Sequence, residues 1–381
     1  MSLCALQGIR DEERVGDKFP KSSILFIEEG WEQISEKQFP LPWKGEGRVR
    51  VTKSMAKGVN GELLQIVDLK TSFFAGEVQT RAVDGVSFSV RRGEIYGIVG
   101  ESGSGKTVTS LSILRLVQPP GRIVGGNIFF EGKDLLTLTD KEMEDVRGSR
   151  IGMIFQEPMT ALNPVFRIGE QIAETIAIHH KDLSHTQIHE RALELLTQVG
   201  FDEPEKKYLQ YPHQLSGGQR QRVLIAIAIS CKPSLVIADE PTTALDVATE
   251  SQIISLLEGL VSRYDMSMIF ITHNLNIMKR LGDRIGIMYA GRVLEENLVK
   301  AFFEEPLHPY GRGLLESIGG LSGNAKRLAA IPGYVPKLSE MPEGCKFHPR
   351  CPHVMPICRT VEPVMKEIGK DQWVRCYLYQ N

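Results

Sequence analysis

A glycine-rich segment between an apolar run and a helical pattern constrains the fold of this chain more than any other feature. The stretch "GIVGESGSGKTVTSL" fits GxxxxGK[ST] through Gly100, Gly105, Lys106 and Thr107. The apolar "IYGIVG" precedes the loop and the helical "VTSLSILRL" follows it, which predicts a strand, a tight loop and a helix in succession. Backbone N–H groups in such a loop wrap phosphate groups, so we expect a nucleotide-binding α/β core.

The residues of this loop have separate expected roles. Lys106 is placed to reach the β- and γ-phosphates, and the hydroxyl of Thr107 is a candidate ligand of Mg²⁺. The start of the following helix adds positive potential. The other candidate nucleotide-binding residues of the loop are Gly100, Glu101, Ser102, Gly103, Ser104 and Gly105.

A phosphate-binding loop needs a second strand that ends in an acid, and "SLVIADEP" supplies Asp239 and Glu240. Asp239 is a candidate for holding Mg²⁺. Glu240 is a candidate for polarising the attacking water, because phosphoryl transfer depends on positioning and charge neutralisation. In isolation an acid pair after a strand is more often a solvated turn, but the phosphate loop favours the functional interpretation.

A second glycine-rich loop, "LSGGQRQR" at residues 215–222, precedes another helical pattern. The hydroxyl of Ser216 and the N–H groups of Gly217 and Gly218 form a second candidate anion site. One chain does not need two γ-phosphate sites, so this loop is expected to serve ATP bound to a different subunit. The simpler alternative, a serine N-cap, leaves the two glycines unexplained.

In this order, over about residues 63–300, these motifs resemble those of the ATP-binding-cassette (ABC) ATPases. Gln156 in "IGMIFQEP" is similar to the family's Q-loop glutamine. The segment "TALD", which ends at Asp246, resembles the D-loop, and His273 in "IFITHN" resembles the switch histidine. "LSGGQ" resembles the family's signature loop.

The family also stacks the adenine ring on an aromatic side chain. Phe73 in "KTSFFAG" stands at that position, with its neighbour Phe74 as the alternative.

The resemblance implies a P-loop NTPase (RecA-like) core with an inserted helical subdomain at residues 157–215 and an antiparallel β-subdomain. It implies a dimer in which ATP lies between the phosphate loop of one cassette and the signature loop of the other. The implied catalytic residues are Glu240 as general base, His273 at the γ-phosphate and Gln156 as the link to membrane subunits. The implied Mg²⁺ ligands are Thr107, Gln156 and Asp239, and the residues implied to reach ATP from the second cassette are Ser216, Gly217, Gly218, Gln219 and Asp246.

Composition excludes several functions. The net charge of −2, from 45 basic and 47 acidic residues, gives no global attraction for nucleic acid. No run approaches the about 18 apolar residues of a membrane span. The N-terminus becomes charged before a signal-peptide core could form, so we expect a cytoplasmic chain with reduced cysteines.

Changes in residue composition and in hydrophobic periodicity divide the 381 residues into three expected regions. Residues 1–60 form an irregular, partly disordered extension, or precede a true start at Met55. Residues 61–305 form the nucleotide-binding domain. Residues 306–381, rich in Pro and Gly at first, form a separate C-terminal domain. We find no internal repeat and therefore expect a single cassette.

Three further segments resemble the ATPase subunits of oligopeptide and dipeptide importers: "QEPMTALNP", "HPYGRGLLESI" and "IPGYVPKL" leading to "GCKFHPRCP". This implies two transmembrane permease subunits, a second and different ATPase subunit, and an extracytoplasmic peptide-binding protein. The chain would lie at the cytoplasmic face of the inner membrane and touch it only through the permeases. Nickel and glutathione importers share this subfamily. A non-transport alternative is a soluble cassette ATPase acting as an iron–sulfur-linked regulatory module.

Four of the six cysteines, Cys345, Cys351, Cys358 and Cys376, lie in the tail with the spacing C-x5-C-x6-C-x17-C. Four thiolates can hold Zn²⁺ or an iron–sulfur cluster, while reduced packed cysteines and disulfides are the remaining alternatives. The resemblance to the peptide-importer ATPases implies a [4Fe–4S] cluster. His348 and His353 are not expected to be ligands, and Cys4 and Cys231 are expected to be incidental.

Overall fold

The computed structural model describes residues 61–319, 331–337 and 340–380. The expected N-terminal extension, residues 1–60, and Cys4 within it lie outside the described residues. The strands in chain order are β1 Glu62–Ala75, β2 Val78–Arg91, β3 Ile95–Val99, β4 Gly121–Phe130, β5 Lys133–Asp134, β6 Ile151–Ile154, β7 Leu235–Asp239, β8 Ser267–Thr272, β9 Arg284–Tyr289, β10 Arg292–Leu298, β11 Lys366–Gly369 and β12 Gln372–Val374. The helices are α1 Lys106–Ile113, α2 Asp140–Val146, α3 Pro158–Ala161, α4 Ile168–His179, α5 His185–Gln198, α6 Pro204–Tyr208, α7 Gly217–Ile229, α8 Val247–Tyr264, α9 Leu275–Leu281, α10 Val299–Glu304 and α11 Pro309–Ser317.

The larger sheet positions the candidate site. Its strand order is β11-β12-β10-β9-β3-β8-β7-β6. The five strands from β9 to β6 are parallel, and the strands added after β9 are antiparallel. Strands β3, β6, β7 and β8 are buried along their whole length, as expected for parallel strands covered on both faces. The segments that follow their carboxyl ends therefore meet at one edge of the sheet.

The smaller sheet is antiparallel, in the order β2-β1-β4-β5. Leu64, Ile66 and Leu69 of β1 are buried in a core that also contains Ile113 of α1. Thr71 on the same strand shares a 2.8 Å hydrogen bond with Ser112 of α1. The sheet is thus packed against the helix that follows the phosphate loop.

Helices α3 to α6 occupy most of the segment between β6 and α7. Ile172 and Ile176 of α4 and Ala192 and Leu196 of α5 are fully buried in one core with Val223 of α7. The apolar three- and four-residue spacing of this segment therefore marks the faces that pack on α7. In the part of the chain that the structure describes, no helix has the length and apolar content needed to cross a membrane.

The C-terminal region packs directly on the nucleotide-binding region. Strand β12 pairs with β10, placing Val374 opposite Glu295. The rings of Tyr310 and Phe347 are buried beside Tyr289 of β9. Described residues on both sides of position 305 thus share one sheet and one core, and a domain boundary there stays a prediction.

Candidate nucleotide-binding and catalytic site

The phosphate loop connects β3 to α1 and requires glycine for two different reasons. A Cβ on Gly100 would lie 2.0 Å from the carbonyl oxygen of Met288, so the loop can approach β9 only without a side chain there. Gly105 has φ of +100°, in the left-handed region that favours glycine. A Cβ on it would also lie 2.5 Å from the carbonyl oxygen of Ala82.

The loop presents donors that fit a polyphosphate. No side chain caps α1 at Gly105, which leaves the first N–H groups of the helix available to a ligand. The buried ammonium of Lys106 donates to the carbonyl oxygens of Gly100 at 2.8 Å and Glu101 at 3.1 Å. Burial lowers the pKa of Lys106, and the nearby carboxylates of Glu240 and Asp239 oppose that effect. A phosphate group bound in the loop would add a negative charge beside this ammonium and favour its charged form.

A set of oxygen ligands lies beside the loop. The hydroxyl of Thr107 donates to Asp239 Oδ1 at 3.2 Å, and Asp239 is 1% exposed. Burial raises the pKa of Asp239 to about 6. Gln156 is half-buried and follows β6 at the same edge of the sheet. Hydroxyl, carboxylate and amide oxygens are the ligands that Mg²⁺ prefers, and a cation would favour the charged form of Asp239, so these residues fit the ion.

Glu240 lies among several groups that fix its carboxylate. Its Oε2 accepts a hydrogen bond from Thr243 Oγ1 at 3.0 Å and lies 3.2 Å from His273 Nδ1, and its Oε1 lies 3.8 Å from Lys106 Nζ. The residue has φ of +45°, a conformation that costs energy in a residue with a side chain. Its N–H donates to the carbonyl oxygen of Ile271. Neighbouring strands therefore hold Glu240 and His273 together, although 33 positions separate them in sequence.

The signature loop forms the N-terminus of α7. The hydroxyl of Ser216 accepts from the N–H of Gln219, and the side chain of Gln219 accepts from the N–H of Ser216. The serine N-cap considered from the sequence is therefore present. A Cβ on Gly218 would lie 2.4 Å from Thr249 Cγ2. The N-cap does not by itself explain the two glycines, but the close approach of Thr249 gives Gly218 a second reason to lack a side chain.

Asp246 caps the N-terminus of α8. Its carboxylate accepts from the N–H of Thr249 at 3.0 Å and from the hydroxyl of Thr249 at 2.7 Å. Because Thr249 also faces Gly218, this one side chain connects the D-loop and the signature loop. Within the described ranges, no hydrogen bond or ion pair joins residues 215–219 to residues 100–107 of the same chain. The side-chain hydrogen bonds of Asp246 in the described residues likewise go to Thr249 and not to Lys106 or Glu240.

The two candidate adenine-stacking rings have different neighbours. Phe73 pairs with Gly121 of β4, and its ring edge lies 2.7 Å from the position of a Cβ on Gly121. The ring of Phe74 instead carries the guanidinium of Arg122, 5.1 Å from its centroid. Phe74 therefore has a cation–π partner already, and adenine stacking on Phe73 stays a prediction.

Sequence reasoning missed two residues that contact the phosphate loop. Arg350 forms an ion pair with the side chain of Glu101, and the hydroxyl of Tyr310 accepts from the Glu101 N–H at 3.0 Å. They lie 249 and 209 positions from Glu101. No local pattern in the sequence indicates either contact.

The four tail cysteines line a single cavity. They are free thiols, and Cys345, Cys358 and Cys376 are buried. The N–H of Cys345 donates to the carbonyl oxygen of Cys358 at 2.9 Å, which ties two of the cysteine-bearing turns together. Disulfides, one of the alternatives left by the sequence, do not form among them.

The cavity does not have the arrangement of a single-ion site. Among the residues that the structure describes, no group of three or more His, Cys, Asp or Glu is arranged to hold a metal ion. Neither the expected [4Fe–4S] cluster nor the zinc alternative is therefore supported by this arrangement. The cavity volume is about 10 Å³, and burial raises the pKa of both Cys345 and Cys376 to about 11. His348 and His353 line the same cavity, as does His308.

Comparisons with known proteins identify two matching regions of the chain. A family model described as ABC transporter matches residues 83–243. A second, described as oligopeptide/dipeptide transporter, C-terminal region, matches residues 294–358.

Curated relatives match across both regions. The oligopeptide transport ATP-binding protein AppD of Bacillus subtilis (strain 168) is 48% identical over 84% of this chain and 97% of its own length. The dipeptide transport ATP-binding protein DppD of Escherichia coli (strain K12) is 44% identical over 83% of this chain and 96% of its own length.

Solved structures also match part of the chain. The dimeric ATP-binding cassette MJ0796, in a post-hydrolysis state with ADP and Pi, is 29% identical with a TM-score of 0.56, covering 62% of this chain and 98% of that one. The phosphate loop, the buried acid pair and the relatives at 44–48% identity lead to one assignment. The chain belongs to the ABC transporter family of ATPases, in the branch that carries the oligopeptide/dipeptide transporter C-terminal region.

Proposed function

We propose that this ATPase powers the uptake of oligopeptides or dipeptides through separate membrane subunits. The observation that carries the proposal is the similarity beyond the cassette, into residues 294–358, to the oligopeptide/dipeptide C-terminal region. The curated relatives named above are oligopeptide and dipeptide transport ATP-binding proteins over nearly their whole length. A free-standing regulatory module has no comparable support.

The contacts around the phosphate loop support the roles expected of its residues. Lys106 and the uncapped N–H groups of α1 bind the phosphates of ATP. Thr107 and Asp239, with Gln156, hold Mg²⁺, which when bound neutralises charge on the phosphates. Glu240 accepts a proton from the attacking water. His273, which shares a carboxylate oxygen with Thr243, keeps that carboxylate oriented and contacts the γ-phosphate.

The second half of the site comes from another subunit. Residues 216–219 and Asp246 of this chain face ATP bound to the partner ATPase, which we propose is a different chain. In the described residues they form no side-chain hydrogen bond to Lys106 or Glu240, and this together with the dimeric state of the solved cassette supports the arrangement. The remaining proposed partners are two permeases and an extracytoplasmic peptide-binding protein. The chain would act at the cytoplasmic face of the inner membrane, in contact with the permeases alone.

Reconstitution of the complete transporter in liposomes tests the function. ATPase activity is measured with the binding protein and, in turn, a dipeptide, an oligopeptide, Ni²⁺ or glutathione. We expect stimulation by peptide and little response to the other two. Stimulation by Ni²⁺ or glutathione alone, or full activity without the permeases, would contradict peptide uptake.

We further propose that Cys345, Cys351, Cys358 and Cys376 hold a [4Fe–4S] cluster. Four thiols face one cavity, three of them lie within the matched residues 294–358, and four thiolates are the usual ligands of such a cluster. Phosphoryl transfer needs no electron, so the proposed role is to stabilise the tail.

Iron analysis tests the cluster proposal. Replacing Cys351 and Cys358 with Ser removes two ligands, so the iron and sulfide contents and the visible absorbance of anaerobically purified protein should fall to background. Cys231→Ser is the matched control, because Cys231 lies outside the cavity, at the end of α7. Wild-type protein with zinc but no iron, or a double variant with unchanged iron, would overturn the assignment.

A further inference from the structure

Glu101 in the phosphate loop is bound from two sides by residues of the C-terminal region. Arg350 donates to its carboxylate through both terminal nitrogens, Nη1 to Oε2 at 2.8 Å and Nη2 to Oε1 at 3.1 Å. This two-bond fork fixes direction as well as distance. The backbone N–H of Glu101 donates to the hydroxyl of Tyr310 at 3.0 Å. Both the main chain and the side chain of one loop residue therefore depend on the tail.

Arg350 is itself rigidly held. Its side chain is 5% exposed, and its Nε donates to the carbonyl oxygen of Pro332 at 2.9 Å. Its guanidinium lies 5.7 Å from the ring centroid of Tyr289 and 6.0 Å from that of Phe347. An arginine with these contacts has few other conformations, so it can impose a position on Glu101.

Aromatic rings also link the C-terminal region to the strand that packs against the phosphate loop. The ring centroids of Tyr289, Tyr310 and Phe347 lie 4.8 to 5.3 Å apart. Tyr289 follows Met288, whose carbonyl oxygen closes against Gly100. The phosphate loop, the end of β9 and the tail thus form one packed unit.

The negative charge of Glu101 links its ion pair with Arg350 to nucleotide binding. Its carboxylate belongs to the loop that receives a polyphosphate, and a like charge there opposes binding. Its carbonyl oxygen also accepts from Lys106 Nζ at 3.1 Å, so any movement of Glu101 moves the ammonium that is aimed at the phosphates. We propose that Arg350 is a positioning residue for the phosphate loop: it neutralises and fixes Glu101 and thereby sets the affinity of the cassette for ATP.

The first test measures ATP binding and turnover by Arg350→Met in the assembled transporter. Met keeps much of the apolar volume but leaves the Glu101 carboxylate unpaired. We expect the Kd and KM for ATP to rise about tenfold while kcat at saturating ATP changes less than about twofold, because the interaction serves binding in both the ground and the transition state. Arg359→Met, which changes an exposed arginine of the same tail, is the control. Unchanged ATP affinity in Arg350→Met would overturn the proposal.

A second variant distinguishes positioning of Glu101 by Arg350 from a purely structural role of Arg350 in the C-terminal region. In Arg350→Met/Glu101→Gln the opposing charge is gone, so ATP affinity should return to within about threefold of wild type. A purely structural role for Arg350 predicts no such rescue, and a folded double variant that stays tenfold weak would overturn the proposal.

Should Arg350→Met fail to fold, Glu101→Gln alone tests the same point. This substitution removes the acidic charge from the phosphate loop and leaves Arg350 in place, so the affinity for ATP should be equal or tighter, and a tenfold weakening would overturn the proposal. The proposal requires ATP to bind this loop but not a peptide cargo. These binding assays therefore remain decisive even if the transport experiment fails.

Discussion

Replacing Glu240 with Gln is expected to lower ATP turnover about 100- to 10,000-fold, the range that a positioned general base contributes. Glutamine keeps the size of the side chain and can still accept the hydrogen bond from Thr243 Oγ1. It cannot take a proton from water. ATP binding should stay within about threefold of wild type, because Lys106 and the N–H groups of the phosphate loop are unchanged. The measurement compares ATP binding with steady-state hydrolysis in the assembled transporter.

Glu258→Gln is the matched control for this substitution. Glu258 lies on α8, its side chain is 52% exposed, and it pairs with Arg280 away from the site. Turnover of this variant should equal that of wild type. Turnover of Glu240→Gln within tenfold of wild type would remove Glu240 as the base, and a parallel loss of ATP binding would assign it a binding role instead.

Gly218→Ala is expected to lower turnover about 100-fold, the cost of losing one donor to a charged transition state. The added Cβ would lie 2.4 Å from Thr249 Cγ2, so the backbone of the signature loop at Gly218 or the side chain of Thr249 must shift, and we expect the loop to move. Helix propensity works the other way, because Ala favours a helix more than Gly does. Because this term favours the folded helix, we attribute the expected loss of turnover to displacement of the signature loop and not to unfolding. It is measured as kcat in the assembled transporter, with ATP binding to this chain's own phosphate loop retained.

A compensating change makes that prediction sharper. Thr249→Ser removes the Cγ2 methyl group but keeps the hydroxyl that Asp246 accepts from. The double variant Gly218→Ala/Thr249→Ser should recover turnover to within about threefold of wild type. Gly259→Ala, on the same helix as Thr249, is the control because a Cβ there meets nothing within 4 Å. A double variant as inactive as Gly218→Ala would show that the methyl clash is not the cause.

The ATP-binding elements could be predicted from short stretches of sequence. Glycines with fixed conformations, Lys106 and Thr107 follow one another within a single loop, so one motif contains the backbone donors, the ammonium and the hydroxyl together. The acid pair at the carboxyl end of β7 could be predicted equally well, because the apolar run before it indicates a buried strand. That Glu240 and His273 share a hydrogen bond follows from the parallel pairing of β7 with β8.

Other features were less accessible to sequence reasoning. The N-cap at Ser216 was considered and set aside, because the partner of Gly218 was not visible in the sequence. Thr249 lies after the D-loop and has no motif of its own. The cysteine spacing predicted that four thiols could meet, and they do line one cavity. The volume of that cavity and the raised pKa values of the thiols depend on packing and could not be predicted from the spacing.

The sequence by itself determined the nucleotide chemistry, because the groups that bind phosphate are carried by contiguous residues whose local conformation brings them together. Only the tertiary structure decided how the C-terminal region contacts the phosphate loop. Arg350 reaches Glu101 across 249 positions because β12 pairs with β10 and the ring of Phe347 packs on Tyr289. Contacts of that kind depend on sheet register and core packing between distant segments, and no local pattern of residues encodes them.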